Sequence, residues 1–139
     1  MMKSVRASTT IETIFWIPVW VIILMLMLQG GVVLYAKIIV SQAAREGARA
    51  GAVSLSPVSD AKSEIINYGG NRLPGWRDLS KLSISAETPD GALPGKEIRV
   101  SVRYEVPVIF SALWKSSNSN PPSFLNVEGN SLMIIEFKE

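Results

Sequence analysis

Few residues in this chain could do chemistry. Its 139 residues include no Cys and no His. That excludes Cys- or His-based nucleophilic catalysis, a disulfide framework and the usual structural zinc sites. The 12 Asp and Glu residues are scattered, and no Gly-rich phosphate loop or Gly-Lys-Ser/Thr run is present. Glu97 and Glu105 alternate with Arg99 and Arg103 along one stretch, where charge pairing across a sheet surface is the plain use. No catalytic residue, cofactor site or metal site is read, and the chain is not read as an enzyme. One carboxylate stands apart. Glu12 directly precedes a long uncharged run. On one reading it is a helix-start acid, favoured by the helix dipole by about 0.3–1 kcal/mol. On the other it is the anionic partner of a cation supplied by another subunit, which an ionisable residue at a membrane boundary would require.

The element that must position Glu12 is the run Thr13 to Ala36, TIFWIPVWVIILMLMLQGGVVLYA. Its 24 uncharged residues span roughly 36 Å as a helix, enough to cross a hydrocarbon core about 30 Å thick with some tilt. In lipid the backbone must pair internally, which demands a helix. A signal-peptide core is shorter, about 7–15 apolar residues, and Tyr35-Ala36-Lys37 lacks the small-residue cleavage pattern. Pro18 removes one helical donor, so a kink is expected there. Trp16, Trp20 and Tyr35 fall near the two ends, where amphipathic rings prefer the interface. Gly30 and Gly31 permit close helix approach and Gln29 needs a polar partner, or the three are a tolerated weak spot.

The short segment 1–12 carries Lys3 and Arg6 and is expected in the cytoplasm, although Lys37, Arg45 and Arg49 follow the span on its other side. The helical pattern continues through 37–55. Ala43, Gly47 and Gly51 recur at four-residue spacing, as do Ala44, Ala48 and Ala52. Each set falls on one helical face, and a smooth face lets another element pack closely. Net charge is +2 with no basic cluster interleaved with aromatics, which gives no case for nucleic acid.

These residues carry a resemblance. Glu12, Pro18, the apolar core, Leu34-Tyr35-Ala36-Lys37 and the run Ala43-Ala44-Arg45-Glu46-Gly47-Ala48-Arg49-Ala50 resemble the TadE-like family, pilin-like proteins of the tight-adherence type IV pilus system. The resemblance covers about residues 7–52. It implies a single-pass protein of the bacterial inner membrane with an extracytoplasmic C-terminal domain, acting as a minor pilin or pseudopilin in pilus assembly, adhesion or secretion. It implies as partners other pilins or pseudopilins, inner-membrane assembly proteins, membrane lipid and a prepilin peptidase. It also implies a cut between Ala7 and Ser8, which would make Glu12 the fifth mature residue. In that case Glu12 would neutralise the new N-terminal amine of a neighbouring subunit. Two positions depart from the pattern: Ala7 stands where glycine is usual, and Thr13 where an aromatic is common. The alternative reading is a permanently anchored extracytoplasmic binding or accessory domain.

Residues 56–139 are expected to form a small α+β domain without cofactor. Ser56-Pro57 reads as a helix start, and Val58, Ala61, Ile65 and Tyr68 follow helical spacing up to Gly69-Gly70. Asn71 to Ser80 is a turn-rich connector. Leu82, Ile84 and Ala86 mark one strand. Ile98, Val100, Val102, Tyr104 and Val106 mark a second, alternating with polar residues as in a half-buried antiparallel sheet. Pro89-Asp90-Gly91 through Pro94-Gly95 joins these two as a long hairpin, and Ser131 to Phe137 is expected as a third strand. The smooth helix face and the helix at 57–68 would cover the dry side of the sheet. Phe110, Leu113 and Trp114 either fill this core or form an exposed partner-binding patch.

Overall fold

A computed structural model describes residues 4–78, 80–109 and 124–136; for residues 4–11 it describes the backbone only. Two helices precede a three-stranded antiparallel sheet: α1 (Ser4–Ala52), α2 (Pro57–Gly69), β1 (Leu82–Glu87), β2 (Glu97–Pro107) and β3 (Phe124–Ile134), with strand order β1-β2-β3. The fold is α+β, as expected.

Helix α1 is one element of 49 residues and continues through Pro18. Its only long uncharged stretch is the apolar run, and the segment Glu12–Ala52 is long and apolar enough to cross a membrane, with a mean hydropathy of 2.4 in its most apolar window. It ends at Ala52, three residues short of the expected limit at 55, where the chain turns toward α2.

The domain wraps the second half of α1. Ala43, Ala44 and Ala48 are fully buried, and Ala52 nearly so. Both four-residue sets therefore face protein. The inward residues of β2 — Ile98, Val100, Val102, Tyr104 and Val106 — join them, together with Ala61 and Ile65 of α2, in one apolar core. The alternation in β2 matches the burial seen: its partners on the other face are half-buried or exposed. Arg103 meets Glu128 there at 3.3 Å, and Arg99 meets Glu97 at 3.3 Å. These exposed pairs contribute little to stability.

Two expectations about the domain need correction. β3 starts at Phe124, seven residues before the expected Ser131, and ends at Ile134, with Phe137 outside the described residues. Asn126, Glu128 and Asn130 face water while Val127 and Gly129 face inward, so the inward side holds a glycine where an apolar side chain would have signalled a strand. Second, Ser56 occupies the N-cap position of α2, yet its side chain makes no capping bond; Ser54 Oγ bonds Asp60 of the first turn and accepts from Ser56 N at 3.0 Å. Helix α2 does end at Gly69-Gly70 as expected, with Gly70 right-handed at φ −56°. Gly69 is required for room. A Cβ there would overlap the ring of Trp76, whose Nε1 donates to Ile65 O at 2.9 Å. Trp76 in turn stacks obliquely on Tyr104, with ring centroids 5.6 Å apart, and Tyr104 Oη donates to Pro74 O at 2.6 Å. These contacts hold the connector against the sheet. Phe110, Leu113 and Trp114 lie outside the described residues.

Candidate functional site

The residues singled out by their chemistry all lie on α1, and the structure divides them into two groups. The first group is at the N-terminal end. Ala7 and Ser8 lie within the helical backbone, which begins at Ser4. Glu12 is thus two turns inside the helix, not in its first turn. The dipole effect fades beyond the first turn, so the helix-start reading of Glu12 fails for the chain as it stands. Glu12 is exposed, and Thr13, Trp16, Ile17 and Trp20 line a shallow groove with it along one helix face. A carboxylate at the end of an aromatic groove can accept a charged hydrogen bond from a group arriving along that face.

Between Glu12 and Leu28 the helix offers its apolar side chains outward. Phe15 is 75% exposed, Trp20 67% and Met27 73%. Pro18 sits in this exposed stretch. Such a continuous apolar surface is incompatible with water and suits lipid or other helices. Gly30 and Gly31 lie in open space: a Cβ on either would meet nothing within 4 Å among the described residues.

The second group is the small-residue stripe, which has a different job. A Cβ on Gly47 would overlap the Ile65 side chain and lie 3.0 Å from Ala61 O. One on Gly51 would lie 2.7 Å from Pro57 O and 3.2 Å from Ala61 Cβ. Ala43 of the same set is fully buried. Within this chain, then, the stripe packs α1 on α2 and the sheet. Close approach of two helix backbones needs the missing side chains.

Two residues the sequence reading did not place as packing partners complete the arrangement. Gly129 of β3 lies directly on α1, where a Cβ would sit 2.9 Å from Ser41 N and Cα and from Val40 O. Its signal was an isolated glycine in a polar stretch, which by itself reads as a turn or bulge. Gln29 does find a polar partner: its Oε1 accepts from Ile109 N at 3.0 Å, across 80 residues of sequence. Its Nε2 is buried without a hydrogen bond among the described residues.

Among the described residues there is no group of three or more acidic residues able to hold a metal ion. Two carboxylates have shifted acidities, both on the domain surface. Hydrogen bonds from Arg103 and Ser101 hold Glu128 below the usual carboxylate range. The backbone and hydroxyl of Ser80 do the same for Asp78. Neither neighbours another acid–base group in a cleft, and both read as surface structure.

No curated protein and no solved structure matches the chain. A family model does match: residues 7–49, all within α1, match the model of TadE-like protein, the family that the sequence resembles.

Proposed function

We propose that this chain is a minor pilin or pseudopilin of a tight-adherence pilus, anchored in the bacterial inner membrane by α1 with its domain on the extracytoplasmic side. The observation that carries the reading is the coincidence of the TadE-like match over residues 7–49 with a helix whose N-terminal part is bare and apolar while its C-terminal part is clothed by a domain. A pilin needs that division. The bare part first sits in lipid and is then handed to neighbouring helices during assembly.

The mechanism assigns each end of α1 a task. Cleavage between Ala7 and Ser8 would leave Glu12 as the fifth residue, back within reach of a helix N-terminus. A neighbouring subunit's new amine would then meet the Glu12 carboxylate in a site shielded from water, where opposite charges attract far more than in bulk solvent. Gly30 and Gly31, open on the bare segment, would let a neighbouring helix approach closely. The stripe at Ala43, Gly47 and Gly51 keeps the domain fixed to the helix, so that moving the helix moves the domain. The partners are other pilins or pseudopilins, the inner-membrane assembly proteins and a prepilin peptidase. The family is structural, and no catalytic step is assigned to this chain.

A second reading draws on Ala7, which stands where glycine is usual: an uncleaved, permanently anchored accessory domain. Mass spectrometry of the membrane-extracted protein separates the two. A mature N-terminus at Ser8 is the expected result. An intact N-terminus in cells that assemble pili would overturn the pilin route and leave the fixed anchor.

A further inference from the structure

The depth at which the domain grips α1 places one end of the sheet at the membrane surface. β3 runs in the same direction as α1: Gly129 lies on Val40 and Ser41, and Glu136 N donates to Ala52 O at 2.8 Å. Following β3 back from Gly129 at about 3.3 Å per residue brings Phe124 and Leu125 to the level of roughly residues 30–33 of α1. The far end of β2 arrives at the same level independently, because Ile109 N bonds Gln29. The end of the sheet formed by Pro107, Val108, Ile109, Phe124 and Leu125 thus lies beside a part of α1 that belongs to the uncharged run.

Lipid dimensions decide what this end meets. With Glu12 at one boundary, a hydrocarbon core about 30 Å thick at 1.5 Å per residue ends near residue 32 of α1, and any tilt moves that point further along. The rim therefore coincides with the opposite boundary. Its chemistry fits that position. None of its five residues is charged, and Ile109 is 52%, Phe124 44% and Leu125 38% exposed; Leu34 and Ile38 of the helix are exposed as well. The first charge beyond the run on α1 is Lys37, whose long stem can carry its amine to the headgroups.

We propose that Ile109, Phe124 and Leu125 form a membrane-seated rim, inserted among the lipid headgroups and uppermost acyl carbons while the subunit is anchored. The proposal rests on the reading of α1 as a membrane span. Gln29 gains its meaning here. Its carboxamide oxygen sits at the edge of the apolar phase and accepts from the Ile109 backbone, which keeps that N–H from an unpaired burial and holds the rim at a fixed depth. A rim pressed on lipid would also fix the domain's tilt relative to the membrane.

The chain has no cysteine, so single labels are clean. The full-length protein, reconstituted in phosphatidylethanolamine–phosphatidylglycerol vesicles, carries an environment-sensitive fluorophore at Ile109→Cys, Leu125→Cys, Leu24→Cys or Leu93→Cys. All four positions are exposed in the structure, so labelling spares the core. Leu93 serves as the distal control, since its neighbour Ala92 lies beside Leu55 and Pro57 past the end of α1. Quenching by lipids brominated near the top of the acyl chains should be several-fold stronger at 109 and 125 than at 93. Lipids brominated near the bilayer centre should quench position 24 most. Quenching at 109 and 125 no stronger than at 93, with position 24 quenched, overturns the rim and leaves the anchor standing. An unquenched position 24 overturns the anchor itself, and the rim with it.

Discussion

The two halves of α1 differ both in what surrounds them and in what they are made of. From Ile14 to Leu28 the side chains are apolar and mostly large, and all but Met25 are exposed. From Ala36 to Ala52 the buried positions are Ile39 and Val40 and otherwise alanine and glycine, with only small residues from Ala43 on. Large apolar residues facing out need a solvent other than water. Small residues facing in need a close protein neighbour. One continuous helix thereby passes from a bare apolar segment to a protein core, with Gln29 and Val33 marking the transition. The comparison teaches that the same motif, small residues at four-residue spacing, should not be read as a subunit interface by default. Here Gly47 and Gly51 are used up inside the chain, while Gly30 and Gly31 remain open.

If the halves work separately, a change in one should leave the other's property untouched. The largest effect is expected at Glu12. Removing one member of a shielded charge pair typically costs about 3–5 kcal/mol. Glu12→Gln, expressed at matched membrane levels, should block incorporation into pili and co-purification with other pilins. It should leave the thermal melting of the domain unchanged. Normal pili would sink the pairing, and an altered melt would break the separation of the halves.

Next come the glycines of the clothed half. Gly129→Leu places a side chain against the Ser41 backbone, which cannot swing aside, and Gly47→Leu places one against Ile65. Overpacking of this kind costs about 1–3 kcal/mol, with Gly129→Leu at the upper end because its neighbour is backbone. Thermal melts and limited proteolysis of the detergent-solubilised chain should show both losses. Leu24→Ala, in the bare half, should be silent in the same assays. Equal losses for all three would show that the bare half is packed in the isolated protein.

At the transition itself, Gln29→Leu removes the acceptor for Ile109 N and should destabilise the domain by about 1 kcal/mol, the usual net value of one hydrogen bond. A smaller effect still belongs to the outer face of the sheet. Glu128 titrates below the usual carboxylate range through Arg103 and Ser101. Its contribution is therefore present above the unfolded-state pKa and lost as pH falls through the lower folded-state value. Glu128→Gln should lower the melting temperature slightly at neutral pH and have no effect once the carboxylate is protonated in both states. A deficit that persists in acid would mean the residue acts through packing.

Much of this was legible in the sequence where a single element reports on itself. The alternation of Ile98 to Val106 and the spacing of Ala61 and Ile65 mark β2 and α2 because each buries one regular face. Illegibility began where a residue's role is set by a distant neighbour. Gly129 and Gly69 look like loop glycines until α1 and Trp76 are laid against them. Gln29 looks like a weak spot until Ile109 arrives from 80 residues away. At the candidate site, the type of Glu12 and its place beside the apolar run were readable. Its depth in the helix was not, since MMKSVRASTT has no sharp start signal and helix continuity there follows from α1 as a whole.

The central claim, one helix in two environments, is tested most directly by a spin-label accessibility scan of single cysteines from residue 13 to residue 36, with the full chain in lipid vesicles. High oxygen accessibility is predicted on every face from Thr13 through Leu28, giving way to a growing periodic protection on the domain-facing side through Gln29, Val33 and Ala36. Helical protection of equal depth from residue 13 onward, or uniform accessibility to a water-soluble relaxation agent, would contradict it.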